Sequence, residues 1–209
     1  RPRALRAVAG IDLSIRAGSS AALVGESGCG KSTTGKLVMG LLRPTGGTVR
    51  FAGTDIATLR GPARTALRRR MAMIFQDPAG ALDPRMPIAA QVREPLDIHR
   101  LGTPAERRRR SAAALDAVGL DPGHGDRFPH ELSGGQLQRA VIARGLVLEP
   151  AFLVCDEPVS ALDVSVQAQV LNLFADLQER RGLTYLFISH DLGVVRQVTD
   201  TIAVMYLGR

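Results

Sequence analysis

An α/β fold is predicted by three observations. A short apolar run at residues 21–24 turns through a glycine-rich stretch directly into a helical segment. Two further apolar runs, 151–155 and 183–188, show no alternation of polar and apolar residues, which is the pattern of strands buried on both faces. Between and after them lie stretches with one apolar helical face, one carrying Leu137, Ala140, Val141, Val147 and Leu148, and another spanning residues 164–179.

In chain order, residues 8–15 alternate Val8, Gly10, Asp12 and Ser14 against Ala9, Ile11, Leu13 and Ile15, which predicts a strand with one apolar face. Arg16-Ala17-Gly18 makes the turn into the run at 21–24, and the helical character after the glycine-rich stretch extends over 34–42. Residues 48–51 form another short strand between Gly46-Gly47 and Gly53. The apolar residues 71–75 predict a buried strand that delivers Gln76, followed by Asp77 and Pro78. The texture then changes. From 78 to about 131, Pro84, Pro87, Pro95 and Pro104 punctuate short helical pieces, and 105–118 reads as one charged, alanine-rich helix. This predicts an inserted helical subdomain whose exit loop is the Gly- and Pro-rich stretch 121–127. A final strand is predicted over 201–207.

The stretch Gly25-Glu26-Ser27-Gly28-Cys29-Gly30-Lys31-Ser32-Thr33 fits GxxxxGK[ST], a loop whose backbone N–H groups point inward at phosphate oxygens. Gly25, Gly28 and Gly30 supply the turn, and the helix starting near Lys31 turns its positive end to an anion. Lys31 is expected on the β- and γ-phosphates, Ser32 on Mg²⁺, and Thr33 on a further phosphate oxygen. The strand at 151–155 ends in Asp156 and Glu157, so two carboxylates sit at a strand's carboxyl end, where a nucleotide lies in such proteins. Asp156 suits a metal held through water, and Glu157 suits the polarising of an attacking water. His190 stands at the end of the 183–188 strand in the same kind of position. Ser133-Gly134-Gly135-Gln136 opens a helix, which makes it either a plain N-cap or a second anion site.

The net charge of +7 rests on arginine, Lys31 and Lys36 being the only lysines. Arginine runs at 68–70 and 107–110 have no interleaved aromatics, so solvated helix faces or a polar docking surface are expected rather than nucleic acid. No apolar run approaches the roughly 18 residues of a membrane span, so a membrane role is expected only through a partner. Cys29 and Cys155 have neither metal nor disulfide spacing, which points to a reducing cytoplasm. Arg1 in place of methionine, and an end at Arg209 straight after an apolar strand, read as an excised domain with both termini cut.

The order of these motifs, with Leu132-Ser133-Gly134-Gly135-Gln136 downstream of the phosphate loop and Ser160-Ala161-Leu162-Asp163 after the carboxylates, resembles the nucleotide-binding subunits of ATP-binding cassette (ABC) transporters over nearly the whole chain. Phe75-Gln76-Asp77-Pro78 and Leu82-Asp83-Pro84-Arg85-Met86 are similar to the branch serving bacterial oligopeptide, dipeptide and nickel importers. The resemblance implies a RecA-like core (1–76 and 146–209) with a small antiparallel β part, and a helical subdomain at 77–145 carrying the signature loop. It implies an ATPase using ATP and Mg²⁺, working as a head-to-tail pair in which Ser133 and Gly135 of one copy face the Lys31 loop of the other. Gly25, Ser27, Gly28, Cys29, Gly30, Lys31, Ser32, Thr33, Gln76, Ser133, Gly134, Gly135, Gln136, Asp163 and His190 are then nucleotide-binding positions, and Ser32, Gln76 and Asp156 metal positions. Glu157 is the base, assisted by Gln76, His190 and Lys31, and Asp163 serves cross-dimer communication. Implied partners are a second such domain, integral membrane permease subunits gripping 78–94 and, indirectly, an extracellular solute-binding protein, at the cytoplasmic face of the inner membrane. A non-transport relative, acting in phosphonate degradation, DNA repair or translation, is the alternative. The family stacks an aromatic upstream of the phosphate loop on adenine; no Phe, Tyr, Trp or His precedes Gly25, which implies weak discrimination between ATP and GTP.

Overall fold

The computed structural model describes residues 6–209; the expected start of the core, at residue 1, lies outside the described residues. The chain runs β1 (Ser20–Val24), α1 (Lys31–Val38), β2 (Arg50–Phe51), β3 (Thr54–Asp55), α2 (Gly61–Arg69), β4 (Met71–Ile74), α3 (Ile88–Ile98), α4 (Pro104–Ala117), α5 (Gly134–Leu146), β5 (Phe152–Asp156), α6 (Val164–Arg181), β6 (Thr184–Ser189), α7 (Leu192–Val195) and β7 (Thr201–Val204). Short 3-10 turns at Pro122–His124 and Pro129–Glu131 lie between α4 and α5.

Five strands form one parallel sheet in the order β4-β5-β6-β1-β7. The alternation of side chains along each strand divides two apolar cores between the two faces. Leu153, Cys155, Tyr185 and Phe187 join α3 to α6 in the larger core, whereas Phe152, Val154, Leu186 and Ile188 join Met205, Val38 and Met39 in the smaller one. Register fixes what happens at the sheet's carboxyl edge. Ile74 is level with Cys155, Asp156 with Ile188, and Val24 with Ser189. Whatever follows each strand therefore emerges side by side with its neighbours.

One predicted strand is absent. Residues 8–15 join no ladder, although Val8 and Ile15 do pack on the smaller core. Alternation supplies an apolar face, but a strand also needs an edge to pair with, and the described antiparallel pairing is confined to β2 and β3, Arg50 opposite Asp55. The expected antiparallel part is thus a two-stranded ribbon. The helix after the glycine-rich loop stops at Val38, short of residue 42, because Gly40 takes a left-handed φ of 63° and lets Leu41 N–H return to Lys36 C=O at 2.9 Å. Pro95 does not break its helix: it lies inside α3, where its lost N–H removes one intrahelical bond.

Helices α3, α4 and α5 pack on one another, and α5 also reaches β4 and α6. Buried Gln91 pins the proline-rich segment to α3: its Nε2 donates to the carbonyls of Asp83 at 2.9 Å and Met86 at 2.7 Å, and its Oε1 accepts from Asp83 N–H at 2.7 Å. Arg144 of α5 ties back to Glu94 of α3 at 2.5 Å. No described helix is long and apolar enough to cross a membrane.

The larger core closes on Phe174 of α6, which meets Tyr185 and Phe187 edge-on with ring centroids at 5.6 and 5.2 Å. Replacing it by alanine leaves a cavity that its wholly buried neighbours cannot fill. Phe174→Ala is expected to lower unfolding stability by about 3–5 kcal/mol, read from urea unfolding.

Candidate functional site

The glycine-rich loop is shaped by what stands behind it. At Gly25, with φ of 156°, an added Cβ would land on the carbonyl oxygen of Met205, and at Gly30, with φ of 112°, on that of Ala7. Backbone therefore crosses backbone with no room for a side chain. Gly30 is the left-handed residue from which α1 begins, and no side chain caps that end, so the first N–H groups of α1 have no side-chain acceptor at the cap. Lys31, only 6% exposed, donates from Nζ to the carbonyls of Gly25 at 2.7 Å and Glu26 at 2.8 Å. Its ammonium thus lies within the loop's own curve. Ser27 and Gly28 face solvent, Thr33 is half-buried, and the Cys29 thiol is buried in the smaller core.

Ser32 is the link from loop to sheet, donating from Oγ to Asp156 Oδ1 at 3.0 Å. Burial pushes the Asp156 carboxyl above the usual carboxylate range; the Ser32 bond opposes this, the Glu157 charge adds to it, and Lys36 and Lys31 offset part of it.

Glu157 adopts a left-handed φ of 49°, costly for a residue with a side chain, and its N–H donates to Ile188 C=O at 2.8 Å. This turn aims its carboxylate along the sheet edge between two neighbours. Gln76 Nε2 donates to one oxygen at 3.0 Å, and His190 Nδ1 to the other at 3.1 Å. The three residues come from the ends of β4, β5 and β6, as the strand register requires. An oriented carboxylate flanked by a donor on each side can bind and polarise a water molecule.

The remaining predicted positions form a separate group. Ser133 caps α5 in a reciprocal box: Gln136 N–H donates to Ser133 Oγ at 3.4 Å, and Ser133 N–H to Gln136 Oε1 at 3.0 Å. Asp163 caps α6, accepting from Ser165 Oγ at 2.7 Å and Val166 N–H at 3.0 Å. The Ser165 hydroxyl, then the Val166 N–H, hold its carboxyl below the usual range. The two caps touch: a Cβ on Gly135 would lie 2.5 Å from Val166 Cγ1, and one on Gly134 would lie 3.6 Å from Leu162. Among the described residues no side-chain hydrogen bond joins this group to Lys31, Asp156 or Glu157. The chain therefore carries two separate groups, one a glycine-rich loop beside a carboxylate and the other a capped helix N-terminus. Sequence reasoning missed the backing of the loop by Met205 and Ala7 carbonyls, since long-range backbone approach leaves no local pattern. It also missed the reciprocal box, which Ser followed by Gln three residues later does signal.

A family model described as ABC transporter matches residues 8–160. The chain is 48% identical over 206 residues to the oligopeptide transport ATP-binding protein AppF of Bacillus subtilis, covering 98% of this chain and 63% of that protein. It is 49% identical over 207 residues to the oligopeptide transport ATP-binding protein OppF of the same organism, covering 98% of this chain and 68% of that protein. The chain thus spans about two thirds of the length of these relatives. Among solved structures, the dimeric ATP-binding cassette MJ0796, in a post-hydrolysis state bound to ADP and Pi, superposes with a TM-score of 0.86 at 31% identity, covering 97% of this chain and 87% of that one.

A folded-state carboxyl raised above its unfolded value stabilises the protein below the ordinary carboxylate range, and that contribution is lost as pH rises through the raised value. At neutral pH Asp156 therefore carries its charge at a cost. Asp156→Asn is expected to raise the unfolding temperature by a few degrees at pH 7 without added metal, the gain shrinking toward pH 4. Thermal unfolding followed across that range checks this; identical curves at pH 7 would mean that Lys31 and Lys36 fully compensate the charge.

Proposed function

Because the chain belongs to the ABC transporter family, we propose that it is the ATP-hydrolysing, nucleotide-binding part of an importer for oligopeptides, dipeptides or related small solutes. The observation that carries this reading is Glu157 held between Gln76 and His190 at the sheet edge, next to the Lys31 loop. The names of AppF and OppF support the solute class.

In this reading Gly25, Ser27, Gly28, Cys29 and Gly30 offer backbone N–H groups to phosphate oxygens. Lys31 exchanges the Gly25 and Glu26 carbonyls for β- and γ-phosphate oxygens, and Thr33 adds a hydroxyl from the first turn of α1. Glu157 takes up the proton of the attacking water, while Gln76 orients that water and His190 meets the γ-phosphate. Mg²⁺ fits the donor set: a hydroxyl and a buried carboxylate 3.0 Å apart are hard oxygen ligands. Ser32, Asp156 and Gln76 would hold it, and when bound it neutralises charge on the transferring phosphoryl group.

The second half-site calls for a second copy or a paralogue. Head-to-tail pairing sets Ser133, Gly134, Gly135 and Gln136 of one domain against the phosphate loop of the other, with Asp163 beside them at the dimer contact. The dimeric MJ0796 cassette supports such a pair. A core of 1–76 and 146–209 with a helical part at 77–145 divides the labour, the segment 78–94 taking a membrane permease subunit at the inner face of the membrane. A solute-binding protein would act through that permease.

Glu157→Gln is expected to keep ATP binding and to slow hydrolysis by at least about 10²- to 10⁴-fold, as for loss of a general base. Light scattering should then find a dimer only with MgATP. Lys31→Ala should lose binding itself. Hydrolysis by Glu157→Gln at near the unsubstituted rate would overturn the assignment.

A further inference from the structure

The loop between α4 and α5 holds a polar relay that ends on Ser133. Gln136 Oε1 accepts the Ser133 N–H at 3.0 Å, so the Gln136 amide group points the other way, toward His124 Nε2 at 3.0 Å. An amide NH₂ only donates, so Nε2 must present its lone pair. The ring proton then sits on Nδ1, which lies 3.2 Å from the Asp121 carbonyl oxygen. Three donors along the line each meet an acceptor: His124 Nδ1–H to Asp121 C=O, one Gln136 N–H to His124 Nε2, and Ser133 N–H to Gln136 Oε1. The Gln136 backbone N–H closes the box on Ser133 Oγ at 3.4 Å. The hydroxyl thereby accepts along the helix and keeps its own proton to give to an anion.

Without His124 the Gln136 side chain has a free NH₂ and only its bond from Ser133 N–H to hold it in that rotamer. We propose that His124 is a positioning residue for the signature loop, locking Gln136 so that Ser133 and the N–H groups of Gly134 and Gly135 are preset for the phosphate bound by the opposite copy. This rests on the ATPase reading given above. The effect is in trans: His124 acts on the half-site that the chain presents to its partner and leaves its own phosphate loop alone. His124 is half-buried in a 3-10 turn at the surface, so the fold does not depend on it.

The test uses three proteins in the Glu157→Gln background: unsubstituted at 124, His124→Leu, and His124→Gln, whose Oε1 can take the place of the Nε2 acceptor. Dimer formation against MgATP concentration is read by light scattering, nucleotide binding to the monomer by equilibrium dialysis with ATP, and amide exchange at Ser133 and Gln136 by mass spectrometry. Loss of one neutral hydrogen bond is about a fivefold effect, and two sites per dimer make it about 25-fold in the dimerisation constant. His124→Leu is expected to show that loss with unchanged monomer binding and faster exchange at Ser133 and Gln136, and His124→Gln is expected to recover most of it. Unchanged dimerisation in His124→Leu, or no recovery in His124→Gln, overturns the relay. Failure of the protein with His124 intact to dimerise with MgATP is read on a different sample; it overturns the paired-site reading and removes the relay's role with it.

Discussion

The structure depends on parallel register. Five strands running the same way, paired so that Ile74, Cys155, Phe187 and Val24 fall within one or two residues of a common level, deliver four unrelated loops to one edge. A one-residue slip of β5 would exchange its two buried faces and draw Glu157 away from Gln76 and His190. The apolar packing on both sides of the sheet is therefore also what positions the carboxylate. Core and site are one set of constraints, and the cost carried by the left-handed turn at Glu157 and the buried charge at Asp156 is met by the two cores beneath them.

Much of this was legible from residue order. The continuous apolar runs marked β5 and β6 because a strand buried on both faces cannot alternate, and the GxxxxGK[ST] spacing marked the glycine-rich turn from β1 into α1. The strand expected at 8–15 shows what a local pattern leaves out: its alternation gives an apolar face, and Val8 and Ile15 do pack on the smaller core, but strand pairing is a long-range property that alternation does not encode. The residues β3 and α2, short or polar, have too little periodicity to announce themselves. At the site, residue order put Gln76, Glu157 and His190 at strand ends, and their connections were not readable. Nothing in the sequence says that Gln76 and His190 take opposite oxygens of one carboxylate, since 81 and 33 residues separate them from Glu157.

The two groups, which the proposed function reads as half-sites, differ in how they are built. The phosphate-loop half is made by backbone held under backbone, so its shape is set before any ligand arrives. The other half is a helix end whose N–H groups are arranged by side chains: Ser133, Gln136 and His124. The first is therefore rigid by exclusion, and the second adjustable by hydrogen bonding.

The contact of Gly135 with Val166 has a mechanical meaning. No charge takes part in it: a Cβ on Gly135 would lie 2.5 Å from Val166 Cγ1, so the start of α5 and the first turn of α6, which Asp163 caps, are packed without room for a side chain between them. A push on one is passed to the other as a displacement. Salt screens ion pairs over about 8–10 Å, but it does nothing to a steric stop. This contact between the two caps is one of shape and not of charge, so salt leaves it unchanged.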